Sequence, residues 1–250
     1  MIALEHVQLL FNNHYVLQDV NLFVQQGSTY VILGKNGSGK TVLLKTIAGL
    51  FPQFSGTIAI NGISLHEYTQ LPINEKIHKN ITMGYVFQKG GLFDSMTVYD
   101  NVAFGLQRRA STEDEIKNKV LSALEWVGLA GSENKLPSQL SGGMQKRVGL
   151  ARALCLSPAI ILYDDPTAGL DPVLTDSISE LIVATQNKYT MTSILVTQDL
   201  AVAEKTAHRI GLLHNGMIIV DCSADEFFTK TNPYAKQFID GDSEGPIEII

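Results

Sequence analysis

The sequence predicts an α/β protein that combines a parallel sheet, an antiparallel β flank and an inserted α-helical subdomain. A glycine-rich loop at residues 34–41 lies between a short apolar run and a segment whose apolar residues recur at helical spacing. Strand-like segments precede this loop, and a helical stretch at residues 89–157 separates the strands that follow it. Strands that alternate with helices along a chain are typical of a parallel sheet covered by helices.

The loop has the spacing G-x-x-x-x-G-K-S/T. Residues 30–33 before it predict a buried strand, and residues 42–50 after it predict a helix. Glycines let backbone amides approach phosphate oxygens, while Lys40 would reach the β- and γ-phosphates and the Thr41 hydroxyl would ligate Mg²⁺. The plainer interpretation, a glycine-rich turn with a chance lysine, leaves the flanking strand and helix unexplained. The loop therefore predicts binding of a nucleoside triphosphate.

Length and composition fit a folded globular chain. The 250 residues are 45% hydrophobic and 18% charged, and the net charge of −6 argues against nucleic-acid binding as the main function. Apolar runs such as residues 159–163 are too short to span a bilayer, and residues 1–6 lack a signal-peptide pattern. Cys155 and Cys222 lack metal-site spacing, which predicts reduced thiols in the cytoplasm. Membrane contact would then come through a partner.

The segment before the loop predicts the antiparallel flank. Residues 2–10 alternate weakly between apolar and polar side chains, which predicts an edge strand. A turn at residues 11–15 and a second strand at residues 16–24 should follow. Phe11 and Tyr15 could stack on an adenine ring, since aromatic faces bind bases. From the residues alone, ordinary core or turn aromatics are an almost equally good interpretation.

After the loop, residues 55–62 predict a strand closed by an Asn-Gly turn, and residues 81–87 predict a buried strand that ends at Gln88. The inserted subdomain should follow, with a charge-rich segment at residues 108–119 that is expected to be a solvated helix face. Its predicted helices span residues 98–107, 113–127 and 143–156.

The sheet resumes at residues 159–163 and ends in Asp164 and Asp165. A carboxylate at the carboxyl end of a buried strand, beside a phosphate-binding loop, is the expected acidic partner of Mg²⁺. The tail from Asp240 onward should be extended or partner-dependent. The other late elements are predicted as a helix at 172–187, a strand at 193–197, a helix at 200–207 and a hairpin at 209–220. The predicted divisions are a nucleotide-binding core at 1–88 and 158–230, the helical subdomain at 89–157 and a tail at 231–250.

A second phosphate-facing motif, Ser141-Gly142-Gly143, precedes a predicted helix. Small residues and a hydroxyl at a helix N-terminus create an anion site from backbone amides. Alone, such a triplet is usually only a helix cap. Beside a phosphate-binding loop on another subdomain, it suggests that a second chain supplies the missing half of each nucleotide site.

Together, these motifs resemble those of ABC-transporter ATP-binding subunits along nearly the whole chain. The resemblance implies the ABC ATPase fold with a RecA-like P-loop core, in which ATP and Mg²⁺ lie between the Walker A loop of one subunit and the signature of another. It also implies a membrane permease as partner. The matching motifs are Walker A at residues 34–41, the Q-loop at Gln88, the signature at residues 140–144, the end of Walker B at Asp164 and the D-loop at residues 168–171.

The same resemblance implies roles for individual residues, and it favours Phe11 over Tyr15 as the aromatic on the adenine ring. Gln88 would touch Mg²⁺ or water and relay closure to the permease. The implied nucleotide contacts are Phe11, Gly34, Asn36, Gly37, Ser38, Gly39, Lys40, Thr41, Val42, Ser141, Gly142 and Gly143. The implied metal contacts are Thr41, Gln88 and Asp164, and the implied catalytic residues are Asp165, Gln198 and Gln88.

A narrower resemblance links residues 87–102, together with residues 237–241 and 244–246, to the ATPases of Mla-type lipid transport systems. It implies phospholipid movement between the inner and outer membranes of Gram-negative bacteria. The implied partners are a permease, an MCE-domain protein and a small STAS-domain protein, with the ATPase at the cytoplasmic face of the inner membrane.

Two positions depart from the family pattern. Asp165 stands where the family usually has Glu, and Gln198 stands where it usually has His. An aspartate is shorter by one methylene, so its oxygens recede by about 1.5 Å. A misplacement of about 1 Å can cost roughly 10²-fold in rate. Glutamine can donate a hydrogen bond but cannot carry charge. We therefore expect nucleotide binding to survive and hydrolysis to be slow.

Three interpretations follow from these departures. In the first, which we favour, a homodimer hydrolyses ATP slowly but usefully. In the second, the chain is the degenerate half of a heterodimer, and its signature serves the active site of a different ATPase. The third, a non-transport ABC protein of DNA repair or translation, is disfavoured because such proteins usually carry coiled-coil insertions or two fused cassettes.

Overall fold

The structure is a computed structural model that describes residues 1–107 and 112–247. These residues form two β-sheets with helices packed around them, which confirms the predicted α/β class with an antiparallel flank. Residues 108–111 of the predicted solvated helix face lie outside the described part. Across the described ranges, we find no helix that is long and apolar enough to cross a membrane.

The strands divide into a four-stranded sheet in the order β2-β1-β4-β5 and a six-stranded sheet in the order β10-β9-β3-β8-β7-β6. The first sheet is antiparallel, as predicted for the flank. In chain order the strands are β1 (Ile2–Phe11), β2 (His14–Val24), β3 (Thr29–Leu33), β4 (Ser55–Ile60), β5 (Ile63–Ser64), β6 (Met83–Val86), β7 (Ile160–Asp164), β8 (Thr192–Thr197), β9 (Arg209–His214) and β10 (Met217–Ser223).

The prediction of an edge strand at residues 2–10 is wrong, because β1 pairs with β2 on one side and with β4 on the other. His6 has a φ of 51°, and the register of β1 shifts against both neighbours near it. This irregularity breaks the alternation of buried and exposed side chains, which is why the pattern looked weak. The predicted turn shortens to Asn12 and Asn13, whose φ values of 46° and 62° fit a two-residue hairpin.

The six-stranded sheet is parallel except for β10, which joins β9 through the predicted Asn215-Gly216 hairpin. Every residue of β3, β7 and β8 is buried, as expected when helices cover both faces of a sheet. Leu33 pairs with Thr197 and Asp164 pairs with Val196. The carboxyl ends of these three strands therefore meet at one edge of the sheet.

The helices include the three predicted for the inserted subdomain, although the first ends four residues early, at Ala103. Short helices after β5 and after β10 were not predicted. In chain order the helices are α1 (Lys40–Ile47), α2 (Leu65–Gln70), α3 (Ile73–His78), α4 (Val98–Ala103), α5 (Glu113–Trp126), α6 (Gly142–Leu154), α7 (Pro172–Tyr189), α8 (Leu200–Thr206), α9 (Ala224–Phe228) and α10 (Pro233–Asp240), with a short 3₁₀ helix at Pro137–Gln139.

The hydrophobic core has two parts, one on each face of the six-stranded sheet. On one face, Tyr30 and Ile32 of β3 pack with α1 and the antiparallel sheet. On the other face, Val31 and Leu33 belong to a cluster that continues through the inserted helices to the C-terminal ones. The inserted helices thus share a core with the sheet, and the predicted domain boundaries stay a prediction.

The C-terminal tail folds back on the chain, so the prediction of an extended or partner-dependent tail is wrong for residues 241–247. Gln237 on α10 is buried, and its side-chain amide donates to the carbonyls of Asp242 and Ile247 at 3.3 and 3.1 Å and accepts from the Ile247 amide at 2.6 Å. Gly241, with a φ of 69°, ends α10 and reverses the chain. Residues 248–250 lie outside the described part.

Candidate active site

The glycine loop has a backbone that requires glycine. Gly37 and Gly39 have φ values of 80° and 102°, and a Cβ on Gly34 would lie 2.5 Å from the Leu213 carbonyl oxygen. Gly39 caps α1, whose first amides have no partner within the helix and can face an anion. The buried Ser38 hydroxyl finds no hydrogen-bond partner within the described residues, as expected for a group that meets a bound phosphate.

Lys40 lies across this loop. Its side chain is 9% exposed, and its ammonium donates to the carbonyls of Gly34 and Lys35 at 2.7 and 2.9 Å. Burial lowers the pKa of Lys40, and the nearby charges of Asp165 and Asp164 oppose that shift. A phosphate anion in the loop would add a direct charge partner for this buried ammonium.

Thr41 and Asp164 form the pair that could hold a metal. The Thr41 hydroxyl donates to one oxygen of Asp164 at 2.7 Å, and the Tyr85 hydroxyl donates to the other at 2.9 Å. Burial and the charge of Asp164 raise the pKa of Tyr85, which keeps its proton on the hydroxyl. The two hard oxygen donors fit Mg²⁺, which protein sites usually bind together with substrate phosphates. Within the described residues there is no cluster of three or more His, Cys, Asp or Glu for a metal, so phosphate oxygens would have to complete its shell.

Asp165 lies beside this pair with a φ of 44°, which is rare for a residue other than glycine. One carboxylate oxygen accepts from the Thr197 hydroxyl at 3.2 Å, and the Gln88 amide lies 3.5 Å from the other. Burial raises the pKa of Asp165, and the Thr197 hydrogen bond and the charges of Lys40 and Lys146 oppose that shift. The carboxylate is therefore flanked by Thr197 at the end of β8 and by Gln88, two residues after β6.

A cleft of about 230 Å³ joins these parts. Val16 and Val196 line the cleft but were not predicted. The hydrogen bonds of Tyr85 to Asp164 and of Thr197 to Asp165 were not predicted either, because no local sequence pattern indicates them. The lining residues are Val16, Asn36, Gly37, Gly39, Lys40, Thr41, Val42, Gln88, Asp165 and Val196.

Gly34, Ser38 and Asp164 lie next to lining residues without lining the cleft themselves, and Gln198 and Phe11 do not line it either. Gln198 follows Thr197 but is exposed, and no hydrogen bond from its side chain is found among the described residues. The Phe11 side chain is 40% exposed and packs edge-to-face on Phe51, with ring centroids 5.3 Å apart. Contact of Phe11 with an adenine ring stays a prediction.

The signature residues lie on a different part of the chain surface. Ser141 caps α6, and its hydroxyl accepts from the Met144 amide at 3.3 Å. Ser141 and Gly142 are exposed, Gly143 is buried, and the cleft lining includes none of them. The start of α6 and the glycine loop of the same chain therefore do not share this cleft.

The sequence profile of the ABC transporter family matches residues 17–168, which span the phosphate loop, Gln88, the signature and Asp164. This chain belongs to the ABC transporter family. Two solved structures share its fold. The ATP-binding cassette MJ0796, in a dimeric post-hydrolysis state with ADP and Pi, is 31% identical with a TM-score of 0.77 and covers 90% of this chain and 99% of its own. CbiO1 of Clostridium perfringens, part of the CbiONQ transporter complex, is 28% identical with a TM-score of 0.80. The match covers 97% of this chain and 94% of CbiO1.

Curated relatives are named for several substrates. A probable ribonucleotide transport ATP-binding protein, Mkl of Mycobacterium leprae, is 38% identical over 95% of this chain and 68% of its own length. The glutamate transport ATP-binding protein GluA of Corynebacterium glutamicum is 37% identical over 96% of this chain and 98% of its own length. The chloroplast protein TRIGALACTOSYLDIACYLGLYCEROL 3 of Arabidopsis thaliana is 35% identical over 99% of this chain and 75% of its own length. The chain is thus an ATP-binding, ATP-hydrolysing subunit of the transporter family.

Proposed function

We propose that this chain powers phospholipid transport across a bacterial cell envelope as the ATPase of an Mla-type system. It would work as a homodimer, docked on a membrane permease at the cytoplasmic face of the inner membrane, with MCE-domain and STAS-domain proteins in the complex. The observation that carries the ATPase part is that Lys40, Thr41 and Asp165 line one cleft and that Asp164 accepts a hydrogen bond from Thr41.

A second chain would complete the nucleotide site. The cleft lacks the signature residues, and Ser141 and Gly142 at the start of α6 are exposed, where a helix N-terminus could face an anion. Two copies related by a two-fold axis would place the signature of each over the phosphate loop of the other. The dimeric MJ0796 cassette supports this arrangement.

In this site, Mg²⁺ would neutralise charge on the transferred phosphate. Lys40 and the loop amides would bind the phosphates, and Thr41 and Asp164 would hold the metal. Asp165 would orient the attacking water, because its carboxylate is fixed by Thr197 and lies next to Gln88. The Thr197 hydrogen bond compensates in part for the shorter side chain, which favours slow but useful hydrolysis.

The lipid substrate rests on two observations. Residues 87–102 and the segment around Gln237 resemble Mla-type ATPases, and one curated relative bears the name of a glycerolipid. Other relatives are named for ribonucleotide, glutamate and methionine transport, so the family alone leaves the substrate open.

The degenerate half of a heterodimer is the second candidate. The exposed Gln198, which does not line the cleft, favours it, since the residue at that family position should contact the γ-phosphate. A non-transport role is less well supported, because the longest helix of the described ranges has 18 residues and none forms a coiled-coil arm.

Steady-state ATPase activity of the chain in its permease complex separates these candidates. We expect measurable turnover in the native protein and its loss in Lys40→Ala. Asp165→Glu and Gln198→His should change turnover only modestly in a working homodimer. If the native protein binds ATP without turnover and the two restoring substitutions switch hydrolysis on, the chain is a degenerate half that needs a catalytic partner.

The substrate needs its own experiment. The complex is reconstituted in liposomes that contain fluorescent phospholipid, with and without ATP. We expect ATP-dependent phospholipid transfer that is absent in Lys40→Ala. ATP-dependent uptake of glutamate or a ribonucleotide in the same vesicles, without lipid transfer, would contradict the lipid proposal.

A further inference from the structure

Two cations of α6 hold the main chain around Gln88. The Lys146 ammonium donates to the carbonyl of Gln88. The Arg152 guanidinium donates to the carbonyls of Gly91 and Gly90 at 2.7 and 2.9 Å. Three carbonyls within four residues of the Q-loop thus accept hydrogen bonds from the helix that begins at the signature.

A glycine on α6 lets the backbone of the Q-loop lie directly against the helix. Gly149 stands three residues from both Lys146 and Arg152, and a Cβ there would lie only 3.0 Å from the Gly90 carbonyl oxygen. Gly90 itself has a φ of 71°. Below the loop, the Arg152 guanidinium lies 5.9 Å from the centre of the Phe87 ring. Backbone contact and two flanking cations together fasten the loop to α6.

The burial of Lys146 is costly and calls for a reason. Lys146 is only 8% exposed, and the nearby carboxylate charges of Asp165 and Asp164 offset only part of the cost of burying its ammonium. A buried ammonium is destabilising unless hydrogen bonds or charges compensate it. Its hydrogen-bond acceptor is the main chain of Gln88, whose side chain reaches toward Asp165. A buried cation therefore lies where the signature helix meets Gln88, a residue of the cleft.

We propose that Lys146 and Arg152 are positioning residues that fasten the Q-loop to the signature helix, so that Gln88 and the signature move as one body. Any shift of α6 on closure of the dimer would then move the Gln88 amide relative to Asp165, from which it now stands 3.5 Å away. The inference rests on ATP hydrolysis at this site and is independent of the transported substrate.

The kinetic test uses Lys146→Met, which removes the donor and keeps most of the side-chain volume, in the full complex. Lys117→Met removes an exposed lysine from α5 of the same subdomain and serves as the matched control. We expect kcat for ATP to fall about tenfold or more in Lys146→Met, since small misplacements near the reacting groups cost rate steeply. KM and ATP affinity should stay unchanged because the phosphate loop is intact.

A double-mutant cycle with Gln88→Ala separates positioning from a general structural role. If Lys146 acts through Gln88, Lys146→Met should lower kcat little further once Gln88 is an alanine. Loss of the full tenfold in that background would overturn the proposal. So would a kcat for Lys146→Met equal to that of the native protein.

Hydrogen exchange supplies a readout that does not need turnover. Amides of residues 87–93 should exchange faster in Lys146→Met and in Arg152→Met than in the native protein or Lys117→Met. Unchanged exchange in both variants would refute the fastening. If the native protein shows no turnover, the proposed homodimeric motor fails, and the exchange data alone decide whether the loop is fastened.

Discussion

At the scale of single residues, the proposed role of Asp165 depends on how its carboxylate is held. Its backbone is in the left-handed region, its amide donates to the Val196 carbonyl at 2.9 Å, and its carboxylate accepts from Thr197. An unusual backbone conformation persists when neighbouring contacts enforce it, and such conformations cluster at functional sites. Contacts with β8 therefore orient both the backbone and the carboxylate of Asp165.

Replacing Thr197 tests that dependence. Thr197→Val keeps the shape but removes the hydrogen bond to the Asp165 carboxylate, and hydrogen bonds to charged groups contribute about 1.5 kcal/mol or more. We expect kcat for ATP to fall about tenfold, with ATP affinity unchanged. Thr197→Ser keeps the hydroxyl and should retain most of the activity. Equal kcat values for the valine and serine variants would show that the hydroxyl does not matter.

At the scale of elements, Asn101 on α4 organises the loop that follows the Q-loop. Its side chain is fully buried and accepts from the Phe93 amide at 2.8 Å. It also donates to the carbonyls of Phe93, Met96 and Thr97 at 3.0–3.1 Å. One asparagine therefore satisfies backbone groups that regular secondary structure would otherwise pair.

Asn101→Ala should destabilise the protein strongly. The substitution removes the hydrogen-bond partner of the Phe93 amide and of the Met96 carbonyl, whereas the carbonyls of Phe93 and Thr97 keep main-chain donors. A buried backbone group without a partner costs about 1–3 kcal/mol. We expect the free energy of unfolding to fall by about 3 kcal/mol in urea denaturation. Asn118→Ala on the exposed face of α5 is the matched control and should change it by less than about 0.5 kcal/mol. Similar midpoints for the two variants would contradict this role.

At the scale of the whole molecule, the cleft of one chain excludes the signature residues. The cleft contains the phosphate loop, Gln88 and Asp165, while the signature residues are presented elsewhere on the surface. In the proposed dimer, the chain would contribute two half-sites, each completed by a second copy or a related ATPase.

Complementation tests this division of the site. Lys40→Ala removes the phosphate-binding ammonium, and Ser141→Arg places a bulky side chain at the signature. Each variant alone should be inactive as a homodimer. When the two are mixed and allowed to exchange subunits, hybrid dimers have one intact composite site, and ATPase activity should return. If activity stays absent although hybrid dimers are detected, loop and signature do not form a shared site.

The sequence by itself determined the features that depend on neighbours along the chain. The phosphate loop, the Asn215-Gly216 hairpin and the carboxylates after β7 follow from local spacing, backbone conformation and strand burial. Tertiary structure decided the contacts between distant segments. Thr41 and Asp164 are 123 residues apart, and Lys146 and Gln88 are 58 apart. The central position of β1 likewise depends on its pairing with β4. Such contacts follow from the order of strands and the docking of helices, which no local pattern of residues specifies.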